Sequence, residues 1–234
     1  MLSWLGRDDP FPPVERALAE PNGLLCAGAD LSVARLLDAY RHGIFPWSSR
    51  GEPILWWSPD PRMVLYCAEL KVSRSLSKSL RNKGFEPRVD TAFREVLKKC
   101  SEPRKGEPGT WLGPGMRAAY FALHEAGYAH SFEVWRSGEL VGGLYGVAIG
   151  RMFYGESMFS RETDASKVAL AHLVRHLSGK GFPLIDCQMS TPLLASLGGR
   201  EIPRVDFLRA VSGLVNYAEP PGKWSIGTTS MTGT

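Results

Sequence analysis

Beyond residue 61 the apolar positions switch repeatedly between a two-residue and a 3.6-residue spacing, the pattern of strands interleaved with helices. Strands are predicted at 63–67, near 86–89 and at 151–157, and a short apolar run at 184–188 reads as a buried strand. Residues 129–136 and 139–148, joined by Ser137-Gly138, form the clearest hairpin in the chain. Helical spacing covers 73–83, 91–100, 114–126 and 164–178, with two further helices near 192–197 and 205–215. Gly84 and Gly127 follow the first and third of these as stop signals. Runs of this kind, with helices available to both faces of a sheet, predict an α/β (α+β) core.

The first sixty residues lack that regularity. Prolines and Gly23 frame one short helical stretch at 15–20, and Ser32 has the chemistry to cap a helix that carries Leu36, Leu37 and Tyr40 and stops at Gly43. The aromatic, proline-laden stretch 44–62 is too broken for a helix and is predicted to be a rigid functional loop. A small N-terminal domain, 1–61, is therefore expected ahead of a larger one, 62–234, whose last fifteen or so residues look like a frayed tail.

A hydrophobic content of 44% is enough for a real core. No stretch approaches the roughly 18 apolar residues of a membrane span, and the N-terminus has no signal-peptide pattern, so a soluble cytoplasmic protein is expected. Cys26, Cys67, Cys100 and Cys187 stand far apart, which suits reduced core thiols better than a zinc site or a disulfide framework. His172 and His176 have metal-ligand spacing on a helix but lack a glutamate-centred motif or a third ligand, so no metal is expected. Gly142-Gly-Leu-Tyr-Gly146 lies inside a strand pattern and is no phosphate cradle.

Charge changes the picture in one place. The net charge is only +4, yet residues 71–105 hold 11 Lys or Arg against 4 Asp or Glu. Arg74, Lys78 and Arg81 recur at helical spacing on one face, with Lys83 just beyond. Such a face attracts phosphate-rich partners whatever their sequence, and it also suits a merely solvated surface.

Three further groups carry candidate chemistry. Strand alternation puts Asp186 and Gln188 on one face, where they could be functional or ordinary edge residues. Glu156 is enclosed by Phe153, Tyr154, Met158 and Phe159, a costly place for a carboxylate without a partner. Tyr154 and Glu156 should share a face, so a pocket there needs a strand bend, for which Gly155 is suited. Trp47 and Trp111 occur in Pro/Gly-rich loops, where a core role is less natural than a flat face for stacking.

Long stretches of the chain resemble the leucyl/phenylalanyl-tRNA–protein transferase family: Gly43-Ile-Phe-Pro-Trp47, Ile54-Leu-Trp-Trp-Ser-Pro-Asp-Pro-Arg62, Gly109-Thr-Trp111, Val141-Gly-Gly-Leu-Tyr-Gly-Val147, Gly155-Glu-Ser-Met-Phe-Ser-Arg161 and Leu184-Ile-Asp-Cys-Gln188. The resemblance spans about residues 10–204. It implies a small N-terminal domain on a GCN5-related N-acetyltransferase-like domain. It also implies transfer of Leu or Phe, less often Met, from aminoacyl-tRNA to proteins that begin with Arg or Lys, marking them for N-degron degradation. No cofactor and a monomeric enzyme are expected.

Carried onto this chain, the family pattern makes Gln188 the acceptor of a hydrogen bond from the attacking amine, Asp186 its polarising partner and Glu156 an active-site carboxylate. Trp47 and Trp111 align with tryptophans near the terminal adenosine. Leu144, Phe153, Met158, Leu173, Leu177 and Ile185 become candidates for the amino-acid pocket, and Arg74, Lys78, Arg81 and Lys83 for the grip on tRNA. The reaction is aminolysis of an ester by an α-amine of ordinary pKa about 7.7–8.0, so orientation and charge stabilisation are needed more than a strong base. Two departures stand out: Leu173 and Leu177 where relatives often carry Phe, and Pro192-Leu193 where many have a histidine at the second position.

Two other readings share parts of this pattern. An acetyl-CoA-dependent N-acetyltransferase would use the same fold but needs a Gly-rich pyrophosphate loop, and the segment Ser160-Arg-Glu-Thr-Asp-Ala-Ser166 has no glycine. A non-catalytic tRNA-binding module explains the basic face but not polar groups beside an apolar pocket.

Overall fold

The computed structural model describes residues 2–49, 51–103, 110–218 and 220–225. Two sheets share the strands. The first is built from β1 (Ser3–Leu5), β2 (Leu24–Gly28), β3 (Phe45–Pro46) and β4 (Leu55–Trp57) in the order β1-β2-β4-β3. The second has seven strands: β5 (Arg62–Tyr66), β6 (Glu86–Val89), β7 (Ala129–Arg136), β8 (Glu139–Ile149), β9 (Met152–Ser160), β10 (Leu184–Gln188) and β11 (Arg200–Ile202). Their order is β11-β5-β10-β9-β8-β7-β6, antiparallel except where β10 lies parallel to β9.

Local chemistry explains most boundaries. Helix α1 (Val33–Arg41) starts where the Ser32 hydroxyl accepts from the Arg35 amide, and it ends before Gly43 at φ 71°. Ser73 caps α2 (Arg74–Asn82) in the same way. In the β7–β8 hairpin Ser137 and Gly138 both have positive φ, 51° and 81°, the geometry that matches the twist of the flanking strands. Helices α3 (Phe93–Cys100), α4 (Pro114–Glu125), α5 (Ala165–Gly179), α6 (Pro192–Ser196) and α7 (Arg204–Leu214) complete the chain.

Successive residues of the large sheet feed two separate cores. Val64, Tyr145, Tyr154 and Leu184 pack with α1, α3, α4, α7 and the small sheet, in one continuous cluster. Leu65, Leu144, Phe153 and Ile185 face α2 and α5 on the other side. The mixed α/β architecture agrees with the sequence. Several details do not. Residues 44–62 contain β3 and β4 rather than a strandless loop, and only a single 3-10 turn, Val14–Arg16, stands where a helix at 15–20 was expected. The C-terminal segment is not all frayed: the Trp224 indole is buried and stacks on His130 at 3.7 Å. Residues 226–234, and with them most of the expected tail, lie outside the described residues, as does Gly109 of the Gly-Thr-Trp motif. Among the described residues no helix is long and apolar enough to cross a membrane, and no three potential metal ligands come together.

Candidate active site

The site forms where the two parallel strands part. Pairing of β10 with β9 stops at Asp186–Tyr154, while β9 runs on to Ser160. A cavity of about 380 Å³ opens beyond that point. Its apolar wall comes from Phe45, Pro46, Leu144, Met158, Leu170, Leu173 and Ile185, with Leu193 and Leu194 from α6; Glu156, Ser157, Cys187 and Gln188 supply the polar side. Trp47 and Trp111 stand on its border, Trp47 exposed and Trp111 half-buried. Trp47 packs edge-on to Trp57 at 5.4 Å, and Trp111 edge-on to Tyr120 at 6.3 Å.

Two distortions aim the polar groups. On β9 the register shifts between the pairs Gly146–Gly155 and Tyr145–Ser157, which leaves Glu156 as the extra residue of a bulge. The expected bend therefore falls one residue beyond Gly155. Gly146 allows the close approach, because a Cβ there would lie 2.3 Å from the Tyr154 carbonyl oxygen. On β10 the register shifts between Asp186 and Gln188, and Gln188 adopts φ 63°, an uncommon conformation for a residue with a side chain. The Asp186 carboxylate accepts from the Gln188 amide at 2.9 Å and holds that turn in place.

Glu156 is the hub. Its carboxylate accepts from the hydroxyls of Tyr40 (2.7 Å) and Tyr120 (2.6 Å) and from the Gln188 side-chain amide (3.0 Å). The two phenolic oxygens also meet each other at 2.9 Å. Because the Gln188 Nε2 is spent on a carboxylate, its Oε1 is left to accept from another donor. Burial lifts the Glu156 pKa to about 7, with the hydrogen bonds from Tyr120 and Tyr40 restraining the rise. Burial and the nearby carboxylate push both phenols well above their usual range, so they remain protonated.

Asp186 does not reach the cavity. It is fully buried in a two-point ion pair with Arg62, 2.8 Å from Nε and 2.7 Å from Nη2. The guanidinium is itself clasped between the rings of Phe45 and Phe207 and donates to the Gly43 carbonyl. Asp186 thus touches Gln188 only through the latter's backbone amide.

Of the apolar candidates, Leu144, Met158, Leu173 and Ile185 line the cavity. Phe153 and Leu177 do not: Phe153 packs toward Trp224 deeper in the same core, and Leu177 is fully buried a turn of α5 further from the opening. Alternation and helical spacing assigned them the correct face but not the correct level. In the basic segment Arg74, Lys78 and Arg81 are exposed on α2, whereas the Lys83 ammonium is bound to the Thr163 carbonyl at 2.7 Å. Arg161 pairs with Glu102, and Lys167 with Asp164 at 3.0 Å. Sequence reading missed Tyr40 and Tyr120; Arg62, readable from sequence as a phosphate or structural partner, is the structural partner of Asp186. A tyrosine on the apolar stripe of a helix is a usable signal, since a buried hydroxyl normally needs a partner.

Comparison with known proteins gives the chain a class. Residues 64–212 match the family described as leucyl/phenylalanyl-tRNA protein transferase, and residues 29–60 match the N-terminal domain of the same family. A leucyl/phenylalanyl-tRNA–protein transferase of Thiobacillus denitrificans is 66% identical over 92% of this chain and 94% of its own length. Another, from Chromobacterium violaceum, is 62% identical over 96% of each chain. Likeness to solved structures is distant. L-PGS from Bacillus licheniformis gives a TM-score of 0.42 at 13% identity, over 68% of this chain and 52% of that one. A GCN5-related N-acetyltransferase from Kribbella flavida gives 0.40 at 13% identity, over 72% and 60%. The protein is thus an enzyme of the aminoacyltransferase class. It belongs to the leucyl/phenylalanyl-tRNA–protein transferase family.

Proposed function

We propose that the enzyme moves Leu or Phe, and less readily Met, from aminoacyl-tRNA onto proteins that begin with Arg or Lys, so that the products enter N-degron degradation in the cytoplasm. The observation that carries the reading is one cavity with an apolar wall and a carboxylate–amide pair side by side. The apolar wall suits a side chain unbranched at Cβ, and Gln188 Oε1 suits an incoming amine. Glu156 supplies negative charge where a cationic chain terminus would arrive. Trp47 and Trp111 on the border suit stacking with the terminal adenosine.

The exposed cations of α2, Arg74, Lys78 and Arg81, suit the phosphates of the tRNA body. They would position it without reading its bases, as an enzyme that accepts several tRNAs requires. Residues 1–61 and 62–234 would act as a small domain and a GCN5-related N-acetyltransferase-like catalytic domain in a monomer. An acetyl-CoA substrate is disfavoured because Glu162 and Asp164, both acidic, lead into α5, where a pyrophosphate would have to bind.

The test is direct. Purified enzyme is incubated with tRNA charged with Leu, Phe, Met, Val or Ile and with peptides that differ only at residue one, and products are identified by mass. Transfer of Leu and Phe to peptides starting with Arg or Lys is expected. Acetylation from acetyl-CoA, or transfer without regard to the first residue, would overturn the reading.

A further inference from the structure

We propose that the closed ring of Tyr40, Tyr120 and Glu156 is the proton acceptor of the transfer reaction, taking the proton that the attacking amine must lose and returning it to the departing ribose oxygen. The inference rests on the function proposed above and adds a chemical role that hydrogen-bond distances alone suggest.

The ring contains three oxygen–oxygen contacts, 2.7 Å from Tyr40 to Glu156, 2.6 Å from Tyr120 to Glu156 and 2.9 Å between the phenols. All three are hydrogen-bond distances. With Glu156 ionised, only the two phenolic protons are available for them. If both phenols donate to the carboxylate, the Tyr40–Tyr120 contact brings two oxygens together with no hydrogen between them. One added proton removes the deficit: Glu156 then donates to Tyr40, Tyr40 to Tyr120, and Tyr120 back to the other carboxylate oxygen. The arrangement is one proton short of closure, and a chain of mutually polarising hydrogen bonds gains when it closes.

The entry point lies on the cavity wall. Glu156 and Gln188 line it together, while both tyrosine side chains are fully buried behind them. Gln188 is too weak a base to keep a proton, but its Oε1 can hold an amine beside a carboxylate that can. A bond forms between the acceptor's α-nitrogen and the aminoacyl carbonyl carbon, and the ester bond from that carbon to the ribose oxygen breaks. The nitrogen gives one proton to Glu156, and the ring gives one to the ribose oxygen, so charge and atoms balance without a co-reactant. An amine that arrives protonated leaves its first proton with water.

The ionisable groups around the carboxylate are Tyr40 on α1, Tyr120 on α4, Tyr145 on β8, and the Arg62–Asp186 pair on β5 and β10.

The experiment measures kcat against pH, at saturating charged tRNA and peptide, for the wild type and for Tyr40→Phe, Tyr120→Phe and Glu156→Gln. The wild-type rate should climb through a limb near the pKa of about 7 held by Glu156. Each tyrosine variant should displace that limb, because the ring can no longer close on the added proton, and Glu156→Gln should abolish it and lower kcat by roughly 10²–10⁴-fold. The limb should stay in place when the peptide's own amine pKa is altered. Tyrosine variants that lose rate with an unmoved midpoint, or a Glu156→Gln enzyme that keeps the wild-type limb, overturn the proposal. A wild type that transfers nothing overturns the proposed function itself, a distinguishable result.

Discussion

Arg62 and Asp186 meet through two parallel hydrogen bonds, and neither side chain is exposed to solvent. Two charges out of water are tolerable only as a pair, so removing one strands the other. Arg62→Met is expected to destabilise the fold by about 3–5 kcal/mol, measured by chemical denaturation. The double variant Arg62→Met/Asp186→Leu should recover much of that stability. It should not recover activity, because the Gln188 amide loses the acceptor that holds its turn. A double variant with near wild-type transfer would show that Gln188 needs no such support.

The cavity has a defined apolar end, and its width can be altered there. Leu173→Phe should shrink it and lower kcat/KM for phenylalanyl-tRNA relative to leucyl-tRNA, by roughly 10-fold or more for a bulk change of this kind. Leu177→Ala is the control. It lies off the cavity, so it should cost about 2–5 kcal/mol of stability while leaving the Phe/Leu ratio unchanged. A shift in ratio from the Leu177 variant alone would place the pocket elsewhere.

Glu156 also makes a stability prediction with a definite sign. Its folded pKa, about 7, lies above its ordinary value of 4.5, so between these values the folded state binds more protons than the unfolded one. Stability contributed by the protonated carboxyl is full below pH 4.5 and is lost as pH rises through 7. Glu156→Gln should therefore lack this loss: the difference in Tm between variant and wild type should move in favour of the variant from pH 5 to pH 8. A constant difference across that interval would place the folded pKa near its ordinary value.

The basic face gives a salt signature. Alanine at Arg74, Lys78 or Arg81 should weaken binding of every charged tRNA alike. Each should flatten the dependence of log affinity on log salt by about one unit, with kcat nearly unchanged. Lys83→Ala should do less, since its ammonium is already engaged with Thr163. Filter binding across salt concentrations separates these outcomes.

How far the sequence discloses this structure depends on how local each feature is. The hairpin at Ser137-Gly138, the buried strand at Leu184–Gln188 and the Ser32 cap rest on neighbours within a few residues, and all appear where expected. Strands β1, β3, β4 and β11 span only two or three residues each, too few for alternation to register, so they are set by tertiary pairing. Arg62 reads equally as a phosphate or a structural partner until Asp186, 124 residues away, is brought to it. The bulge at Glu156 is likewise invisible, because a one-residue register shift leaves no compositional trace. Asp186 and Gln188 were placed together by alternation, yet the turn at Gln188 is what carries its amide to Glu156.

Tyr40 belongs to α1, in the first part of the chain, while Glu156 and Tyr120 belong to the second, and a single apolar cluster runs through both. The seam between the halves therefore passes through the proposed proton ring rather than around it. Hybrids that exchange residues 2–60 between distant relatives would have to inherit matched tyrosines across that join.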